Sequence, residues 1–327
     1  MHKRLALFVI SVLLVLLTIN FFGLGAVIAV VAHSDWSLVG LAVLCQVAII
    51  LLYALRFKVM TSKYKRISFR EAFRTATIGN FISLITPVAK VGGQPLMIYM
   101  TKKKIGNEKS SAVVFMDTMI DMLTSVVVAA LVLVIFYPSI PLAMFWPLLA
   151  MVIVAFILIF GFMKLFLSRD LLARIFDWII ERMRRFKRID KILHANAFER
   201  SFRLVLQDKK IMSAGMIISF FIKVFEVLRI WIIFLAIGIV LTTSTLWIIW
   251  AFMLLILMIP WLPGHLGLYE FGVSSGFILL GIASVGAAGG VLLDRFVSFW
   301  FVMAFSVVVI WLSRERLGEV FAIAEKK

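Results

Sequence analysis

Residues 79–104, GNFISLITPVAKVGGQPLMIYMTKKK, constrain this chain more than any other stretch. The segment is apolar enough to enter a membrane. Pro87, Gly92, Gly93 and Pro95 interrupt it, however, and Lys90 and Gln94 sit among the interruptions. A helix running through that pattern loses backbone hydrogen bonds, and hydrocarbon supplies no replacement partners. Irregular backbone at membrane depth survives only when buried in protein or lining a wet cavity. The stretch therefore reads as a broken hairpin facing such a cavity, with Lys102, Lys103 and Lys104 at its exit.

The rest of the chain agrees with a membrane setting. Of its 327 residues 63% are hydrophobic, and the mean hydropathy is +1.10, the composition of a polytopic membrane protein. The apolar run Leu5–Val31 is about twice the length of a signal-peptide core of roughly 7–15 residues, so it reads as an uncleaved first span. The single cysteine, Cys45, leaves no intrachain disulfide to form. A net charge of +17 invites a nucleic-acid reading, but the distribution of charge argues against it. Thirty of the 34 Lys and Arg fall in stretches that can share one side of a membrane, and none falls in the opposite loops. That is the positive-inside pattern, and it places both termini in the cytosol of a cell membrane.

Taken in order, span one is followed outside by HSDW, and span two, about Ser37–Met60, returns with Arg56 and Lys58 snorkelling at its cytosolic end. The first hairpin, about Arg70–Lys104, enters and leaves on the cytosolic side. Span three, about Ser110–Tyr137, carries Asp117 and Asp121 one turn apart. Span four is about Leu142–Leu167. Residues 168–210 hold 12 basic and 6 acidic side chains. Leu171, Leu172, Ile175, Ile179 and Met183 recur there at helical spacing, as in an amphipathic helix on anionic lipid. Span five, about Ile211–Ile237, carries Lys223, Glu226 and Arg229. A second hairpin has arms at about Leu246–Ile259 and Tyr269–Ile282, broken by Pro260, Pro263, Gly264 and Gly267. Span six, about Ala287–Leu312, carries Asp294 and Arg295.

The expected fold is therefore all-α and forms a single membrane domain of about six spans plus two opposed broken hairpins. Residues 1–137 form one half and residues 138–327 the other, each with two spans, a hairpin and one span. Three crossings per half invert the second relative to the first, as in many secondary transporters. The halves carry no evident sequence identity, so this symmetry rests on topology.

At the hairpins the sequence resembles the flippase-like family, the transmembrane region of lysylphosphatidylglycerol synthases with its stand-alone bacterial and archaeal relatives. Asn80, Thr86-Pro87 and Gly92-Gly93 match the family pattern, while Gln94 stands where the family has Glu and a following Arg is missing. The family's acidic-Arg-x-x-Asp motif reads Asp117-Thr118-Met119-Ile120-Asp121, with both acids kept and the Arg absent. PWLPGHLGLYEFG matches through Pro260, Pro263, Gly264, Gly267 and Glu270, and a later Arg matches Arg295. The resemblance implies movement of lipids or lipid-linked precursors between leaflets. The synthases add a soluble aminoacyl-transfer domain that this sequence lacks, so no enzymatic activity is expected.

Nine charged residues lie in apolar segments: Lys90, Lys223, Arg229 and Arg295 against Asp117, Asp121, Glu226, Glu270 and Asp294. Each costs about 2.5–3.5 kcal/mol at bilayer centre on the mildest scale, so they must pair or face water. Read structurally they are ion pairs between helices, and Glu270 is a helix cap. Read functionally, Lys90, Gln94, Lys223, Arg229 and Arg295 receive a lipid headgroup, while the five acids balance charge or carry protons. Gly272-Val-Ser274-Ser-Gly276 fits a hydrolase elbow in letters, but it lies in an apolar helical arm, where small residues serve close packing. The histidines have no metal-ligand spacing and no phosphate-binding loop occurs, so neither metal nor cofactor is expected.

The expected function is translocation of an anionic or zwitterionic phospholipid, or a polyprenyl-phosphate-linked precursor, downhill or ion-coupled. Its partners are then membrane lipids and no nucleic acid. The alternatives are a small-solute or ion transporter of the same layout, and a non-transporting subunit on which residues 168–210 dock a lipid-modifying or glycosyl-transferring enzyme.

Overall fold

A computed structural model of the chain describes residues 24–85, 92–167, 190–257 and 267–313. Every regular element among them is helical. In order they are α1 (Leu24–Ala32), α2 (Trp36–Thr61), α3 (Phe69–Ile85), α4 (Gln94–Ile105), α5 (Asn107–Phe136) and α6 (Leu142–Leu167). Then come α7 (Asp190–Leu206), α8 (Lys209–Ala236), α9 (Thr243–Leu257), α10 (Leu268–Leu279), α11 (Ser284–Arg295) and α12 (Phe301–Leu312). A π-helical segment, Phe296–Trp300, joins the last two.

Among the described residues four stretches are long and apolar enough to cross a membrane: Trp36–Thr61, Asn107–Ser139, Leu142–Gly161 and Ser284–Leu312. They coincide with the expected spans two, three, four and six. Most of span one lies outside the described residues. The expected span five falls on α8, a helix of 28 residues that is not among the four.

The centre of the molecule is the antiparallel pair α2 and α8. At one end the Asp35 amide donates to the Ala236 carbonyl at 2.8 Å, and at the other Lys63 Nζ bonds Asp208 Oδ2 at 2.8 Å. Both helices begin on an aspartate cap: Asp35 accepts from the Ser37 and Leu38 amides, and Asp208 from the Ile211 amide. The Lys63 bond first, then that amide, hold the Asp208 carboxyl below its usual 3.8. A group whose folded pKa is depressed stabilises the fold above the unfolded value and loses that contribution as pH falls through the folded one. Asp208→Asn is therefore expected to melt below the parent near neutral pH. The deficit should vanish in acid below 3.8, as thermal scans across that range will record.

Both expected hairpins have helical arms on either side of their breaks. α3 and α4 flank residues 86–91, and α9 and α10 flank residues 258–266. Those breaks lie outside the described residues, and with them Pro87, Lys90, Pro260, Pro263 and Gly264. α3 opens on a reciprocal cap, since Ser68 N donates to Glu71 Oε2 at 3.2 Å and Glu71 N to Ser68 Oγ at 3.3 Å. Lys104 bonds Glu71 and ties the far end of α4 back to the start of α3. Pro95 falls in the first turn of α4, where its missing N–H costs no helical bond, so it starts that arm. The arms touch at glycine. A Cβ on Gly93 would lie 1.8 Å from the Gly79 carbonyl oxygen, and the Gly93 amide donates to Ser83 Oγ at 3.0 Å.

The second hairpin closes in a similar way. Cβ atoms on Gly272 and Gly276 would meet Ile256 at 2.7 Å and Ile249 at 2.8 Å, so the small residues of the elbow-like motif seat α9 against α10. Of the basic segment 168–210, α7 is described and packs on α5 through Phe198 and Phe202, whose rings lie 6.3 and 6.1 Å from that of Phe115. Leu171, Leu172, Ile175, Ile179 and Met183 lie outside the described residues.

Candidate functional site

The described charged residues of the apolar segments gather where α2, α5, α8, α10 and α11 meet. Arg56 is not at the surface. It is buried, and this corrects the expectation that it snorkels to the cytosolic interface. Its Nε and Nη2 grip Asp117 at 2.8 and 3.1 Å, and its Nη1 reaches Asp121 and Ser219, both at 2.8 Å. The physical reason is azimuth: Arg56 is on the α2 face that packs on α5 and α8, where two carboxylates wait, so leaving for water would strand Asp117. The arginine absent between Asp117 and Asp121 is thus supplied from another helix.

Asp121 also receives Lys223 Nζ at 3.0 Å. Lys223 has no exposed surface, and Glu226 stands one turn along at 3.8 Å. Glu226 in turn accepts Trp250 Nε1–H at 2.9 Å and faces the Tyr53 hydroxyl at 3.5 Å.

A second cluster lies toward the other end of α8. Arg229 Nε and Nη2 both reach Asp294 Oδ1 at 2.9 Å, and Nη1 donates to Gln46 Oε1. Asp294 also accepts the Tyr269 hydroxyl at 2.8 Å. Arg295 bonds Glu270 at 2.8 Å and stacks over the Tyr269 and Phe299 rings at 4.3 and 4.8 Å. Glu270 has two tasks, because its other oxygen accepts the Gly267 amide at 2.6 Å and caps α10. Gly267 reaches that position with φ 80°, in the left-handed region that favours glycine. The π segment begins directly after Arg295, and within it Ser298 turns back to Asp294 at 3.4 Å.

The two clusters are built alike. Tyr53 and Glu226, which face one another, stand 173 positions apart. The same offset relates Arg56 to Arg229, Gln46 to Ser219, Asp121 to Asp294, Ser125 to Ser298 and the two caps, Asp35 and Asp208. The contacts are reciprocal: Arg56 bonds Ser219 while Arg229 bonds Gln46, and each arginine also holds the aspartate of its own half. Reciprocity of this kind is the mark of a two-fold relation. It is also the sequence signal that was missed. Aligning the chain on itself at this shift pairs Arg56 with Arg229 and would have moved Arg56 off the membrane surface.

Two adjoining cavities open beside these clusters. The larger, about 190 Å³, is walled by Asn80, Ser83 and Leu84 of α3, by Leu254 and Leu257 of α9, and by Tyr269 of α10. Gln46, Tyr53, Glu226, Arg229, Arg295 and Ser298 supply its polar wall. The smaller, about 90 Å³, lies between α2, α3, α4 and α5 and includes Arg56, Gln94, Asp117 and Asp121. Tyr53, Asn80 and Ser83 line both. Of the residues expected to meet a headgroup, Arg229 and Arg295 face the larger cavity and Gln94 the smaller, where its Nε2 donates to Thr118 at 2.7 Å. Lys223 lines neither, and Lys90 lies outside the described residues. Asn80 is exposed on α3 and borders both cavities.

Comparison with known proteins places this arrangement. Residues 4–306 match the family model described as the lysylphosphatidylglycerol synthase TM region. A UPF0104 membrane protein of Methanothermobacter thermautotrophicus is 27% identical over 323 residues, covering 94% of this chain and 95% of its own. A UPF0104 membrane protein of Pyrococcus horikoshii is 25% identical over 331 residues, covering 96% and 98%. With a match running almost end to end, the chain belongs to the lysylphosphatidylglycerol synthase transmembrane region family.

Proposed function

We propose that this protein moves a phosphate-bearing membrane lipid, a phospholipid or a polyprenyl-phosphate-linked precursor, between leaflets of the cell membrane. The observation that carries the reading is the larger cavity, walled by α3 of the first hairpin and by both arms of the second, with Arg229 and Arg295 facing it. In this reading the hairpins are re-entrant, α8 is a further span whose charges are neutralised inside the protein, and both termini are cytosolic. The reciprocal contacts at a shift of 173 support an inverted repeat, with the two hairpins entering from opposite sides. The headgroup passes through the cavity while its tails stay in apolar surroundings. Arg229 and Arg295 place positive charge on the cavity wall for phosphate oxygens, Asn80 and Gln94 add neutral donors, and Lys90 contributes from the break. Lys223 instead positions Asp121 and Glu226. Movement is downhill or driven by an ion gradient through the buried acids.

Asn80 gives the cleanest test, because changing it leaves every ion pair in place. In vesicles containing fluorescent phosphatidylglycerol, Asn80→Ala is expected to slow transbilayer movement roughly two- to tenfold, the worth of one hydrogen bond. Its melting temperature should match the parent. Parental transport by a well-folded Asn80→Ala would remove the cavity from the headgroup path.

A further inference from the structure

A groove of about 270 Å³ runs between α5, α6 and the inner end of α9. Its rim is exposed, at Met122 and Leu158, and its floor is buried, at Val126 and Ala155. The walls are apolar except at the inner end, where Asp121 and Ser125 stand. The groove adjoins the polar site. Leu254 and Leu257 line both it and the larger cavity, and Asp121 lines both it and the smaller one. Its mouth lies between the exposed Met122 of α5 and Leu158 of α6, on two helices each apolar enough to cross a membrane.

We propose that this groove is the lateral doorway of the cavity and receives one hydrocarbon chain of the lipid whose headgroup the cavity holds, an inference that rests on the proposed lipid transport. An apolar wall and a polar wall adjoin here, matching the two parts of a lipid. What enters from the mouth comes from bilayer hydrocarbon, so an apolar chain loses nothing by entering. A small hydrophilic solute would have to desolvate to use the same route. The apolar part ends where the ion-paired wall begins, so an occupant must change from apolar to polar over that length, as a lipid does. The groove therefore favours a lipid over the small-solute alternative.

The test is photolabelling of the full chain in phosphatidylglycerol vesicles, with a trace of phospholipid carrying a diazirine on its acyl chain, followed by mapping of the labelled residues. Label is expected at Val126 and Ala155 on the buried floor, positions that bulk lipid does not reach. Label confined to Val154, Ile157 and Phe160 overturns the proposal. In parallel, Met122→Trp and Leu158→Trp narrow the mouth at exposed sites where folding is unaffected, and floor labelling should fall severalfold. Unchanged floor labelling in both variants also overturns it. A diacylglycerol bearing the same diazirine chain separates this inference from the one beneath it. Weaker floor labelling by diacylglycerol than by phospholipid supports chain and headgroup sites together. Equal labelling keeps the groove as a chain site while the phosphate-recognition reading fails.

Discussion

Gly93→Ala is expected to be among the most damaging single-methyl additions this protein can suffer. The new Cβ would lie 1.8 Å from the Gly79 carbonyl oxygen and 2.6 Å from its carbonyl carbon, backbone atoms that no rotamer change moves aside. The α3 and α4 arms would have to part, breaking the Gly93 amide bond to Ser83 and opening the wall of the smaller cavity. Overpacking a well-filled site costs about 1–3 kcal/mol when side chains can adjust, and a backbone clash belongs at or above the top of that range. Two companions calibrate the effect. Gly79→Ala meets Met97 Cγ at 2.4 Å, the middle of a flexible side chain that can rotate away, so its cost should be smaller. Gly40→Ala on α2 meets nothing within 4 Å and should be neutral or stabilising by up to about 1 kcal/mol through helix propensity. Thermal unfolding in detergent should rank the melting temperatures Gly40→Ala, Gly79→Ala, Gly93→Ala from highest to lowest. Equal melting of the first and last would mean that the arms do not cross at Gly93.

Much of this architecture is legible in the sequence because breakers and caps act locally. The Pro and Gly residues at 87–95 and 260–267 bracket the two interruptions, and helical arms flank both. The reciprocal cap at Ser68 and Glu71 and the cap of Glu270 on Gly267 depend on residues three positions apart, so spacing alone announces them. Azimuth is the part that spacing does not carry. Arg56 lies near the end of an apolar run and reads as an interfacial cation, because position along a helix is written in sequence. The face that Arg56 presents depends on partners as far away as Ser219, 163 positions on. Lys223 reads as a headgroup ligand for the same reason. Its charge at depth is evident, but its enclosure by Asp121 and Glu226 is a tertiary fact. The internal shift of 173 is visible in the sequence only at scattered positions, since most apolar residues between them are interchangeable against lipid and fix no register.

The cluster around Arg56 yields the other large expected effect. Arg56→Met keeps the length and apolar stem of the side chain and removes the only group that bridges Asp117, Asp121 and Ser219. Lys223 remains for Asp121, but among the described residues Arg56 is the cation that neutralises Asp117. Removing one partner of a buried pair costs about 3–5 kcal/mol, because a charge is left without compensation. Arg56→Met should therefore lower stability by an amount of that order. Asp117→Asn should cost less, since Arg56 keeps Asp121 and Ser219. Adding Asp117→Asn to Arg56→Met should recover part of the loss, as the stranded carboxylate disappears, and a double-mutant cycle will read that coupling directly. Arg56→Lys should fall between, because one ammonium cannot reproduce a fork that meets both oxygens of Asp117 while reaching a second acid. Lys58→Met is the control two residues along α2. No ion pair holds Lys58 among the described residues, and the change should stay within about 0.5 kcal/mol. Unfolding curves in which Arg56→Met and Lys58→Met coincide would return Arg56 to the membrane surface and dissolve the cluster. Separate curves, with rescue by the second substitution, would make Arg56 the clamp between α2 and α5.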